Sequence, residues 1–157
     1  MAEVTGLGPS VVILHAGVAD RRMWYSSCES FKRQFRCITW DRRGFGDSCA
    51  QDEPFSHIED LKSIVQHFGC ADFHLVGSSQ GGRIAIDYTL ANPDGVKSLV
   101  LVAPAVSGAT IPAQFPPAIQ RLIVELKDAE VALDVAKVNE IEARMWLDGP
   151  LKSRNRV

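Results

Sequence analysis

The stretch that decides the fold is Leu75-Val76-Gly77-Ser78-Ser79-Gln80-Gly81-Gly82-Arg83. An apolar run, Phe73 to Val76, enters a turn of small residues. Ile84, Ala85, Tyr88 and Ala91 leave it at helical spacing. The turn reads G-x-S-x-G with Ser79 at its centre, the spacing of a strand, a sharp strained turn carrying a nucleophile, and a helix. Gly77 and Gly81 suit a turn so tight that a side chain at either position would collide. Ser79 is then expected on a sparsely populated backbone conformation. The N–H of Gln80, at a helix N-terminus, is expected to face the same point, where an oxyanion could be held. A plain Gly/Ser turn joining strand to helix is the bland alternative. The strand before and the helix after favour the functional one.

Working outward, the apolar runs Val11–Leu14, Cys37–Trp40 and Leu99–Val102 are short and rich in β-branched residues, as strands buried on both faces are. Between them, Trp24, Cys28, Phe31 and Phe35 place a helix over about 23–34. Ser56 and Glu59 form a capping box for a second helix, whose apolar face is Ile58, Leu61, Ile64, Val65 and Phe68 and whose stop is Gly69. A third helix spans 80–91. Strand and helix alternate, so the expectation is an α/β fold: an open parallel sheet of about four strands with flanking helices. In such sheets, sites lie at the carboxyl ends of the strands. Three loops leave those ends with notable residues: His15–Val18, Asp41–Ser48 and Gly77–Gly81.

Beyond residue 107 the pattern changes to a proline-rich turn, 111–117, and a helical hairpin. Ile119, Leu122, Ile123 and Leu126 lie on its first helix. Asp128 is expected to cap a second that carries Val131, Val135, Val138 and Met145. This divides the chain into a core, 1–107, and a helical cap segment, 108–157.

The chain has 157 residues and a net charge of -2. It is long enough for one domain, and it carries no basic footprint for nucleic acid or an anionic membrane. No apolar run reaches the ~20 residues that cross a bilayer, and Met1–Thr5 has no signal-peptide character. Cys28, Cys37, Cys49 and Cys70 form no C-x-x-C pair and read as reduced thiols, with the cytoplasm as the default compartment. No residue spacing implies a metal or cofactor.

Four motifs in order resemble the α/β-hydrolase superfamily, in its small esterase, lactonase and C–C hydrolase branch. Leu14–Trp24 looks like the oxyanion loop, with Ala16 where the family usually has glycine. Asp41–Ser48 looks like the D-x-R-G-x-G-x-S loop, Val76–Gly82 like the nucleophile elbow, and Leu99–Pro104 like the strand after the elbow helix. The resemblance implies that Ser79 is the nucleophile and that the N–H groups of Gln80 and Gly17 form the oxyanion hole. Gly77 and Gly81 are then the elbow glycines, with His15, Val18 and Ser78 lining the site. The strands correspond to the third to sixth of eight, and Glu3–Gly6 to the tail of the second. The family's acid follows a seventh strand and its histidine an eighth. This chain has no counterpart of either, which implies a piece shortened at both ends.

No residue here reads as a substitute base. His15 is structural in the family, His57 and His67 read as solvated or helix-end residues, and His74 lies at the far end of the elbow strand. Asp41 and Asp47 are expected to pin loops, and Asp87 and Glu125 to be exposed. Arg42 and Arg43 are expected to pin their loop by salt bridges. The expected substrate is a small ester, lactone or β-diketone, and exposed sheet edges are expected to favour self-association. A catalytically dead scaffold that acts by binding is the competing reading. A nucleotide-binding domain is disfavoured because no G-x-G-x-x-G follows a strand. Dehalogenases and epoxide hydrolases of the family carry Asp where Ser79 stands.

Overall fold

The strands form where β-branched and aromatic residues run together, and their alternating side chains are buried on both faces of a sheet. Val12, Leu14, Ile38, Trp40, Phe73 and Leu75 face one side; Val11, Ile13 and Cys37 face the other. The computed structural model describes residues 1–50, 52–110 and 114–149. Its strands are β1 (Ala2–Thr5), β2 (Ser10–Leu14), β3 (Arg36–Trp40), β4 (Phe73–Ser78) and β5 (Val96–Val102). Helices α1 (Tyr25–Phe31), α2 (His57–His67) and α3 (Gln80–Ala91) connect them. Leu61 and Val65 of α2 and Ile84, Ala85 and Tyr88 of α3 cover the first face, and Cys28 of α1 covers the second. Each fully buried leucine or isoleucine contributes about 1.5–3 kcal/mol.

The sheet order is β1-β3-β2-β4-β5. Four strands are parallel, as the alternating pattern implies. The fifth, β1, falls where the resemblance expected the tail of a strand, over Glu3–Gly6, and pairs antiparallel with β3, Val4 opposite Ile38. Four residues after Met1 carry too little periodicity to be read alone. At the other edge, Val100, Leu101 and Val102 of β5 are 38–49% exposed. Ile13 lies level with Thr39, Leu14 with Gly77, and Ser78 with Val102. The loops beginning at His15, Asp41, Ser79 and Ala103 therefore leave one edge of the sheet.

One helix differs from its expected form. Residues 21–24 form a 3-10 turn, capped by the Asp20 carboxylate accepting from the Arg22 N–H, and only Tyr25–Phe31 is α-helical. Ser56 accepts from the Glu59 N–H and starts α2, and Gly69 ends the helix region at φ +65°.

Residues 1–109 form one compact unit and the chain from Thr110 a second. The second unit contains α4 (Pro117–Val131), α5 (Val135–Ala143) and a π-turn over Arg144–Asp148. Leu122, Ala129 and Ile141 make its core, with Leu126, Val138 and Met145 packed on them. Asp128 caps nothing: α4 runs through it, and Asp134 caps α5 by accepting from the Lys137 N–H. Part of the proline-rich turn, 111–113, lies outside the described residues. Among the described residues no helix is long and apolar enough to cross a membrane.

Candidate active site

Ser79 sits between β4 and α3 at φ 49° and ψ -114°, a conformation that costs a non-glycine residue on the order of 1–3 kcal/mol. Three hydrogen bonds hold it there. Its N–H donates to the Val102 carbonyl at 3.0 Å. Its carbonyl accepts from the N–H of Arg83 at 3.1 Å and of Ala105 at 3.0 Å. The end of β5 thus clamps the turn from the side. Glycines make room for it. A Cβ on Gly77 would lie 2.5 Å from the Gly81 carbonyl oxygen, and one on Gly81 the same distance from that of His15. Gly82 packs against Pro104, 2.8 Å from where its Cβ would stand. The Ser79 hydroxyl does not cap α3. Gln80 is the first residue of that helix, so its N–H has no intrahelical acceptor.

The neighbouring loop brings Gly17 to the same corner. A Cβ on Gly17 would meet the Gln80 Oε1 at 3.0 Å. Beneath both lies His15, fully buried. Its Nε2 accepts from the Arg42 N–H at 3.1 Å, so the proton is on Nδ1, which donates to the Ala16 carbonyl at 2.7 Å. Burial holds the His15 pKa below its ordinary value, with the Arg42 charge adding to the effect. The ring is neutral and both nitrogens are occupied.

Two buried arginines complete this edge. Arg21 is enclosed by carboxylates: Asp41 by a side-chain ion pair, Asp47 at 2.9 Å and Glu3 at 3.1 Å. Asp41 also accepts from the N–H groups of Arg21 and Asp47, both at 2.9 Å. Burial opposes the charge of each. For Arg21 the bonds from Asp47 and Glu3 and the Asp41 charge outweigh it and raise the pKa. For Asp41 the two N–H bonds and the Arg21 charge outweigh it and lower the pKa. Arg42 is surrounded differently. Its Nη1 donates to Gln80 Oε1 at 2.8 Å and its Nη2 to the Ala16 carbonyl at 3.2 Å, and its Cζ lies 4.5 Å from the Phe45 ring centre. No carboxylate pairs with it among the described residues, and its buried Nε has no partner there.

This frame has many relatives. The alpha/beta hydrolase fold family model matches residues 9–151. The chain belongs to that family. A carboxylesterase, YbfK, of Bacillus subtilis is 30% identical over 101 residues, 62% of this chain and 34% of that protein. A pimeloyl-[acyl-carrier protein] methyl ester esterase of Nitrosomonas europaea is 33% identical over 103 residues, 64% of this chain and 39% of that protein. A marine microorganism esterase of known structure superposes with a TM-score of 0.71 at 23% identity. The match covers 95% of this chain and 59% of that one, and it is a likeness of fold. The matches span little more than a third of those two curated relatives.

Within this α/β-hydrolase frame, the structure brings Gly17, Ser79, Gln80 and both elbow glycines together with His15 underneath. Ser78 is buried as the last residue of β4, and Val18 is 48% exposed at its turn. A cleft of about 830 Å³ beside α2, lined by Trp40, Asp41, Arg43 and Phe68 among others, does not include the elbow.

Two side-chain expectations need correction. Arg43 is pinned by Asp60 at 2.9 Å and Glu53 at 3.4 Å, but Arg42 is held by neutral acceptors and a ring, not by a salt bridge. His57 is half-buried rather than solvated, with an unpartnered buried Nδ1 and an edge-on contact to Phe55. Burial lowers its pKa, and the charges of Arg42 and Arg83 lower it further. His74 lies toward the other end of β4, with Nδ1 2.8 Å from the Ser98 hydroxyl oxygen. Sequence reasoning missed Arg21 altogether. It also missed the clamp at 102–105, where Ala103 takes φ +43°.

Proposed function

We propose that the chain carries the nucleophile and oxyanion hole of a serine hydrolase acting on a small ester, lactone or related acyl substrate. The observation that carries this is Ser79, held at φ 49° with Gly17 and Gln80 at its side. The Ser79 Oγ attacks the acyl carbon. The new C–O bond forms as the carbonyl pair moves onto oxygen, and the N–H groups of Gln80 and Gly17 hold that oxyanion. Collapse breaks the bond to the leaving alkoxide, which takes the proton that the Ser79 hydroxyl gave up and departs as alcohol. Water then cleaves the acyl-serine and restores the hydroxyl. The esterase names of the relatives support this class of substrate.

The weak link is the base. His15 has both nitrogens engaged, and His74 lies toward the other end of its strand. His57, on the first turn of α2 and within reach of the charges of Arg42 and Arg83, is the remaining candidate. Without a base, catalysis falls by several orders of magnitude, with a remainder from the oxyanion hole and binding. The chain alone is therefore expected to turn over p-nitrophenyl acetate very slowly. The decisive measurement is covalent labelling by a fluorophosphonate probe, located by peptide mass. Labelling at Ser79 that disappears in Ser79→Ala is expected. Equal labelling of the two proteins would sink the proposal. Fast turnover lost in both Ser79→Ala and His57→Gln would show instead that His57 serves as the base.

A further inference from the structure

Arg42 is an expensive residue to bury. It is 3% exposed, and burial, with the nearby charge of Arg83, pushes its pKa down to about 10. It still carries its proton at neutral pH, yet among the described residues it has no carboxylate partner. A side chain kept only for packing would do better as methionine, since replacing a buried charge by an apolar group is often neutral or stabilising. Its contacts show a more specific purpose.

The carbonyl of Ala16 and the N–H of Gly17 belong to one peptide unit. In a trans peptide they point in opposite directions, so whatever fixes the carbonyl also aims the N–H. Three donors converge on that carbonyl: His15 Nδ1 at 2.7 Å, Arg42 Nη2 at 3.2 Å and, longest, the Ala19 N–H at 3.4 Å. Donation to a carbonyl also polarises the peptide and strengthens its N–H as a donor. The other arm of the same guanidinium donates to Gln80 Oε1 at 2.8 Å, and that oxygen rests against Gly17. One planar fork therefore ties together two loops, one ending β2 and one starting α3.

We infer that Arg42 is the positioning residue of the oxyanion hole, setting the direction of the Gly17 N–H and coupling it to the Gln80 corner. The inference rests on the reading of Gly17 and Gln80 as oxyanion donors. His15 and the Ala19 N–H supply the other bonds to the Ala16 carbonyl, so loss of Arg42 loosens the peptide without leaving its oxygen bare. The Phe45 ring, 4.5 Å from Cζ, holds the guanidinium in plane with its two acceptors in reach.

The test compares the wild type with Arg42→Met, Arg42→Lys and Ser79→Ala. Fluorophosphonate labelling rates are measured by intact mass, and residual dipolar couplings of backbone N–H groups by NMR in a weakly aligning medium. Arg42→Met is expected to label Ser79 about tenfold more slowly, short of the 10²–10³ that follows removal of an oxyanion donor itself. Its unfolding midpoint should be unchanged or raised. The Gly17 coupling should shift while those of Leu75 and Val76 in β4 stay fixed. Arg42→Lys, which keeps the charge and reaches one acceptor, should recover part of the rate. A rate and a Gly17 coupling equal to wild type in Arg42→Met would overturn the inference. So would a slower rate that tracks a fall in the unfolding midpoint, with no rescue by lysine. If the wild type itself shows no Ser79-dependent labelling, the hydrolase reading fails, and the Gly17 coupling alone decides whether Arg42 orients that peptide.

Discussion

Two buried arginines stand at the same edge of the sheet, and their surroundings could hardly differ more. Arg21 lies within reach of Asp41, Asp47 and Glu3, and its charge is matched on every side. Arg42 meets a histidine, a carbonyl, an amide and a ring. The first arrangement joins the turn before α1 to the loop after β3 and closes the fold there. The second leaves a positive charge without a carboxylate partner among the described residues, against the Ala16 carbonyl and the Gln80 side chain. A cation matched by carboxylates contributes structure. One left unmatched in a dry place contributes a field, and that field is useful where negative charge develops during a reaction.

The largest expected difference comes from removing each arginine in turn. Arg21→Met leaves the Asp41 carboxylate, whose side chain is wholly buried, with only the N–H groups of Arg21 and Asp47. Breaking a buried pair from one side costs about 3–5 kcal/mol. Arg42→Met leaves no buried anion behind, and the Ala16 carbonyl keeps its bond from His15. Its stability is expected to equal that of wild type or to exceed it by up to about 1 kcal/mol. Urea denaturation of both variants tests the contrast. Equal losses would mean that Arg42 is as structural as Arg21, and the distinction would collapse.

The sequence made the fold legible where periodicity was strong. Val11–Leu14, Cys37–Trp40 and Leu99–Val102 are uninterrupted apolar runs, and each lies within a strand of the parallel set. The elbow was legible because G-x-S-x-G leaves little freedom: a Cβ at Gly77 or Gly81 would sit 2.5 Å from a carbonyl oxygen. Other features carry no local signal. The four residues of β1 are a strand only because β3 offers them an edge. Asp128 and Asp134 are equally good caps by type, and the length of α4 chose the second. Arg42 and Arg43 are adjacent and alike in sequence. One turns outward to Asp60, the other inward to Gln80 and the Ala16 carbonyl, and only the path of the chain after β3 decides which. Buried arginine is rare enough that sequence reading assigns both to the surface.

A smaller effect separates the two corners by pH. His15 is held neutral by burial, so its pKa in the folded chain lies below the unfolded value of 6.5. Between those two values the unfolded chain binds more protons, so stability falls as pH falls through that window. The contribution is fully present above about pH 6.5. His57 is lowered for the same first reason, burial, and acts with the same sign. The Arg21 corner behaves otherwise. Asp41 lies below its ordinary 3.8, so its contribution persists through mild acid and is lost only as pH falls below that value. Stability measured by urea at pH 7.5, 6 and 5 should therefore decline in the wild type. His15→Asn keeps an amide donor near the Ala16 carbonyl and removes the titrating ring. It should be less stable at pH 7.5 but show a shallower decline, and adding His57→Gln should flatten the curve further. A wild-type curve that is level, or that rises on acidification, would mean that His15 is not held as the neutral Nδ1–H tautomer. A protonated ring would cost the Arg42 N–H its acceptor at Nε2.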